Sequence, residues 1–132
     1  MRIILRANTP GCAPLASKEN GFDIEGVAAR GERLFLGLRS PVLRGWAMLL
    51  ELRAERTAGD TLALGPIGAS GRPYRKHFLR LRGMGIRDLC WQERDLMILA
   101  GPTMDITGPL AMAIDRLRSP EDLSDDSLVE LD

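Results

Sequence analysis

The chain has 132 residues, 45% hydrophobic and 27% charged, which suffices for one domain with a real core and excludes a largely disordered chain. Its 18 Lys and Arg balance its 18 Asp and Glu, so the basic excess that drives phosphate binding is missing and no nucleic-acid partner is expected. No stretch approaches the roughly 18 consecutive apolar residues of a membrane helix, and the apolar stretch after Met1 is too brief for a secretory signal, so the chain is expected to be cytoplasmic with no membrane partner.

Residues 1–21 read as one short strand, Ile3 to Leu5, followed by a Pro-, Gly- and Asn-rich connector that includes Cys12. Residues 22–82 read as a first sheet unit. Apolar runs at 24–29, 34–38 and 46–52 are separated by the turn signal Gly31-Glu32 and by the loop Ser40 to Gly45. Runs this short, bounded by turn residues, suit strands better than helices. Residues 57–73 carry Gly59, Gly65, Pro66, Gly68, Gly71 and Pro73 and predict a long loop with room for a short strand at Thr61 to Leu64. His77 to Leu81 is predicted as the fourth strand.

Residues 83–118 repeat the pattern. Ile86 answers Ile24 and Leu96 answers Leu34, each 62 positions on, and Ala111 answers Ala47 at 64. Three runs in the same order at nearly constant spacing argue for an internal repeat. A helix over Leu110 to Leu117 is a local alternative. Cys90 lies in a strand-like run and is expected to be a small buried hydrophobe. The two cysteines share no CxxC spacing and His77 is the only histidine, so neither a disulfide nor a zinc site is expected. Residues 119–132 form an acidic tail whose start is predicted to be solvated and partly disordered, with an edge strand at Ser127 to Leu131.

The fold class that follows is all-β, with two antiparallel blade-like sheets forming a partial β-propeller; the alternative is a β-sandwich. Blades packed face to face cover both sides of each strand, which accounts for continuous apolar runs such as Leu34 to Leu36 and Met97 to Leu99. Two blades cannot close a ring of four to eight. Self-association, or a missing upstream propeller portion, is therefore the expected partner.

Four segments carry a resemblance. They are Lys18-Glu-Asn-Gly-Phe-Asp-Ile-Glu-Gly-Val-Ala28, Leu36-Gly-Leu-Arg-Ser-Pro-Val-Leu-Arg-Gly-Trp-Ala47, Arg75-Lys-His-Phe-Leu79 and Leu99-Ala-Gly-Pro-Thr-Met-Asp105. In order and wording they resemble the bacterial domain of unknown function 3616 family. That resemblance implies a propeller-like fold, of which this chain is the C-terminal portion, and brings no activity with it. The Asp23-Ile-Glu25-Gly26 motif is also similar to the Asp-x-Glu-Gly of phytase-like and lactonase-like propellers, which implies an acidic residue lining an axial site.

In a propeller blade, the start of the first strand and the loop between the second and third strands lie at one end. Asp23, Glu25, Arg87 and Asp88 open the two first strands; Arg39, Arg44, Thr103 and Asp105 sit at the returning loops. The topology therefore predicts one charged cluster, with Asp23, Glu25, Arg39, Arg87, Asp88 and Asp105 as ligand-binding candidates. Three uses stay open. Carboxylates of Asp23, Glu25 and Asp88, with Asp105, can ligate calcium, the one cofactor entertained. Arg39 and Arg87 can hold a phosphate or carboxylate, with a neighbouring acid as general base. The charges can also simply satisfy one another as an ion-pair network. The matching functions are a propeller-like scaffold or ligand-binding module and, alternatively, a calcium-dependent hydrolase of phosphoesterase or lactonase type.

The other tempting residues read as structural. His77 is a lone strand histidine, Gly83-Met-Gly85 is a turn, and Ser40 and Ser70 lack a nucleophile-elbow pattern. Trp46 and Trp91 are expected between the sheets. Arg72, Arg75, Lys76, Arg80 and Arg82 are expected to face solvent.

Overall fold

A computed structural model describes residues 22–103 and 112–131. These residues are all-β apart from one 3-10 turn over Pro120–Asp122. The strands are β1 (Asp23–Arg30), β2 (Arg33–Ser40), β3 (Trp46–Arg56), β4 (Leu62–Gly65), β5 (Tyr74–Arg80), β6 (Gly85–Gln92), β7 (Asp95–Gly101), β8 (Ala113–Leu117) and β9 (Ser127–Glu130).

They form two sheets, neither closed into a barrel. The first has the order β1-β2-β3-β5-β9, with β4 sharing the edge of β3 beyond β5; the second has the order β6-β7-β8. All pairings are antiparallel except β5 with β9, which is parallel. Both β1-β2 and β6-β7 are hairpins with two-residue turns, Gly31-Glu32 and Glu93-Arg94, closed by Arg30 opposite Arg33 and Gln92 opposite Asp95. The blade-like sheets fit a partial propeller or a sandwich.

Strand alternation decides what each face does. Ala28, Phe35, Ala47, Leu49 and Leu79 point from sheet 1 toward sheet 2, where Ile86, Leu89, Leu96, Ile98, Ala100 and Leu117 meet them in one core. Burying each Leu or Ile contributes on the order of 1.5–3 kcal/mol. Phe35 also meets Trp91 edge to face, with ring centroids 5.4 Å apart. The opposite face of sheet 1 carries a second cluster of Leu34, Leu36 and Leu52, with Ile24 and Leu50 packed against it. So β2 is buried on both sides, as its unbroken apolar run predicts. β7 is not: Met97 and Leu99 alternate with Leu96, Ile98 and Ala100 and are only half-buried.

The two sheets approach closely because glycines stand where they touch. A Cβ on Gly37 would collide with Ile86, and one on Gly85 would collide with the backbone carbonyl of Arg39.

Several expectations change. Residues 113–117, inside the stretch open to a helix, form strand β8. The strand in the long loop begins at Leu62, and β5 begins at Tyr74 rather than His77. Cys90 is exposed, because Leu89 takes the inward position and the outer face of sheet 2 has no further layer over it among the described residues. Trp46 is not between the sheets; it lies under the Arg80 guanidinium at 4.3 Å. The start of the tail is ordered rather than disordered. Leu123 packs on the core, and Asp125 Oδ1 accepts the Lys76 backbone N–H at 2.9 Å. The expected edge strand at Ser127 is β9. The Ile3 to Leu5 strand, the connector with Cys12, and Asp105 lie outside the described residues.

Candidate functional site

Both hairpin ladders skip residues near their open ends. In β1-β2, Ile24 pairs with Leu38 and Gly26 with Gly37, so Glu25 is left over; one step earlier the partner strand leaves over Arg39. In β6-β7, Ile86 pairs with Ala100 and Asp88 with Leu99, so Arg87 is left over. A bulge frees a residue from the alternation and re-aims its side chain. Here the three unladdered residues turn to one another. Glu25 Oε1 accepts from Arg39 Nη1 at 2.9 Å, and Glu25 Oε2 accepts from Arg87 Nη1 at 3.0 Å. Arg39 Nε also donates to the Thr103 carbonyl at 3.0 Å and stands 3.8 Å from Asp23 Oδ2. The cluster thus ties β1, β2, β6 and the segment after β7 at one end of the sheet pair.

The side chains are partly covered, with Arg39 and Arg87 at 16% exposure and Asp23 and Glu25 at 25% and 28%. A Cβ on Gly101 would lie 2.9 Å from Arg87 Cγ, so a glycine there makes room for the arginine stem. Arg87 Nε is buried without a hydrogen-bond partner. Burial acts to raise the Glu25 pKa, but hydrogen bonds from Arg87 and Arg39, with their charges, outweigh it and hold the carboxyl below its ordinary value. Glu25 is therefore ionised near neutrality with both oxygens engaged. That suits a clamp and does not suit a general acid.

Of the residues expected here, Asp23, Glu25, Arg39 and Arg87 come together. Asp88 is exposed, and its Oδ1 accepts the adjacent Leu89 N–H at 2.8 Å; it joins no ion pair among the described residues. Arg44 is exposed, in the left-handed region at φ 50°. Two negative and two positive charges leave the cluster neutral. Among the described residues, no group of three or more His, Cys, Asp or Glu side chains is arranged to hold a metal ion.

A second polar cluster lies inside the inner face of sheet 1. Glu51 and His77 are both fully buried, with His77 Nε2 2.8 Å from Glu51 Oε2. Arg33 Nη1 donates to Glu51 Oε1 at 3.0 Å, and Arg75 Nη1 stands 3.8 Å from Oε2. His77 Nδ1 is buried without a partner. Glu51 pairs across with Phe35 and Arg75, so Arg33 and His77 are its diagonal neighbours on the flanking strands. Sequence reasoning missed this carboxylate. The available signal was parity: Glu51 shares the inward alternation of Ala47 and Leu49. The basic run after Arg72 is likewise engaged rather than bare: Arg72 and Lys76 pair with Asp125 and Asp126, Arg80 stacks on Trp46, and Arg82 makes a two-pronged contact with the buried Asp115.

Fold and site together define an all-β module of two packed sheets with one charge-compensated cluster at the open end of its hairpins. The chain belongs to the family described as protein of unknown function (DUF3616), whose model matches residues 9–132. No curated protein and no solved structure matches it. No helix among the described residues is long and apolar enough to cross a membrane.

Proposed function

We propose that this chain is a non-enzymatic, propeller-like scaffold module and that the Glu25–Arg39–Arg87 cluster is its axial lock. The observation that carries this reading is the engagement of both Glu25 oxygens: each takes one guanidinium, at 2.9 and 3.0 Å. A site built to bind calcium needs surplus oxygen ligands, and a site built to bind an anion needs surplus cations. This cluster has neither among the described residues. Its strongest physical effect is to hold two successive hairpins in register.

The repeat supports the propeller part of the reading. Glu25 and Arg87 sit 62 positions apart, as do Ile24 and Ile86, and each is the bulged residue of its own hairpin. Two sheets do not close a ring, so the module requires further sheets, from a second copy or from an upstream portion of the polypeptide.

The competing reading is a calcium-dependent hydrolase using Asp23, Glu25 and Asp88. Calorimetry and thermal melts with calcium separate the two. The scaffold reading expects no heat of binding and no change in melting temperature at millimolar calcium. Calcium stabilisation that vanishes in Glu25→Gln would overturn it in favour of the hydrolase.

A further inference from the structure

We propose that the outer edge of β8 is a strand-addition site whose occupant is the chain's own N-terminal run, Ile3-Ile4-Leu5, paired antiparallel as a fourth strand of sheet 2. This goes beyond the scaffold reading and does not rest on it.

The edge follows from the unequal width of the two sheets. β1-β2-β3 and β6-β7-β8 are the same antiparallel meander. Sheet 1 continues past β3 to β5 and β9, whereas sheet 2 stops at β8 among the described residues. An outermost strand presents backbone N–H and C=O groups without ladder partners, which makes it a template for a further strand. The position beside β8 is also shaped. It is a groove of about 350 Å³, lined by Arg116 to Arg118 from the β8 side, by Val129 to Leu131 from the β9 side, and by Leu123. Leu123, Val129 and Leu131 pack on the main core but are only partly buried, while Leu117 next to them is 2% exposed. One wall thus offers a ladder and the other an apolar surface. That combination fits an extended segment with aliphatic side chains at alternate positions.

Three observations select the N-terminal run. The first is composition. Among the residues outside the described ones, Ile3-Ile4-Leu5 is the one run of three large aliphatic side chains; residues 8–21 are rich in Pro, Gly and Asn, and residues 104–111 contain Gly108-Pro109 and are already used to link β7 to β8. The second is direction. β8 starts at Ala113, opposite Ala100, at the end of the module where Thr103 receives Arg39 and Arg39 stands by Asp23 at the start of β1. A strand antiparallel to β8 therefore finishes at the end where β1 begins, and a parallel one would finish at the wrong end. The third is reach. Crossing from a position over β9 to β1 takes four strand spacings of about 4.8 Å and one sheet gap of about 10 Å, within roughly 30 Å. Residues 6–21 extend to about 50 Å, so the link is ample. In this arrangement Ile3 and Leu5 share one face and meet Leu117 and Val129. Ile4 takes the other face, in line with Ile114, which is 72% exposed, and Arg2 and Arg6 flank it with their charges in water.

Nuclear magnetic resonance of the isotope-labelled full chain tests the proposal. The expected result is cross-strand contacts between residues 3–5 and 114–117, with the β8 amides that point away from β7 exchanging at least about tenfold more slowly than loop amides. Ile4→Pro removes a ladder donor and should release those amides while leaving β5 amides unchanged. Ile3→Asp, which puts a charge into the groove, should do the same. Circular dichroism melts show that both variants remain folded. Outward β8 amides that exchange as fast as loop amides in the wild type would overturn the proposal. Protection that persists in both variants would assign the edge to a different strand. Protection that is present at about 1 mM and lost at about 50 μM would assign it to a second copy. None of these outcomes alters what the calcium titration decides.

Discussion

Glu25 and Arg87 meet across the sheet interface at 3.0 Å, and each is the residue that its own hairpin leaves out of the ladder. The same irregularity, made twice at equivalent places, delivers one carboxylate and one guanidinium to a common point. Arg39, skipped in the strand opposite Glu25, completes the arrangement.

Removing the charge at the centre of this cluster has a cost that depends on pH. Glu25→Gln is expected to destabilise by about 1–2 kcal/mol at pH 7, since it loses two charge-assisted hydrogen bonds in a partly exposed setting. Because the folded carboxyl titrates below its ordinary value, the unfolded chain takes up the proton first as pH falls. The Glu25 contribution is therefore complete above about pH 4.3 and lost as pH drops through the folded pKa. Asp125, held down first by the Lys76 amide, loses stability on the same acid side. The difference in melting temperature between wild type and Glu25→Gln isolates Glu25: it should be constant near neutrality and shrink below about pH 4.

The buried Glu51 should matter more. It has no exposure, and its removal strands His77 and Arg33. Glu51→Gln is expected to cost about 3 kcal/mol, lowering the melting temperature by about 10 °C or more. Adding His77→Leu should cost less in the Gln background than in wild type, because the two side chains act as a unit. Strict additivity in a double-mutant cycle would contradict the coupling.

Gly85→Ala tests the close approach of the sheets. Its Cβ would collide with the Arg39 carbonyl, a backbone atom that cannot swing aside without disturbing the bulge. A loss of about 3 kcal/mol or more in urea unfolding is expected, large for one methyl group.

One turn invites improvement. Gly31 and Glu93 occupy the same place in the two hairpins, at φ 57° and 55°, but only the first is a glycine. An L side chain in this region carries strain of about 1 kcal/mol. Glu93→Gly should raise the urea midpoint by a corresponding amount with an unchanged m-value. Arg30 bonds to the Glu93 backbone carbonyl, so that contact survives the substitution.

The hairpins were legible because run length and two-residue turns are local properties. Ile24 to Ala29, Leu34 to Leu38 and Trp46 to Leu52 all fall within strands, and the meeting of Asp23, Glu25, Arg39 and Arg87 followed from topology. Other features depend on neighbours that a linear reading does not supply. Glu51 finds its partners diagonally on strands 18 and 26 residues away. Cys90 lies in an apolar run that looks buried on both sides, yet only Leu89 and Trp91 have a sheet to face. The acids of the tail look solvated until Asp125 and Asp126 meet the β5 backbone and Lys76.

The parallel pairing of β9 with β5 changes how the molecule responds to a cut. The polypeptide visits sheet 1, then sheet 2, then sheet 1 again, so sheet 2 is moored at both its entry and its exit. A protease that severs the segment between β5 and β6 leaves β8 joined through the tail to the edge of sheet 1. The two sheets should come apart only after a second nick.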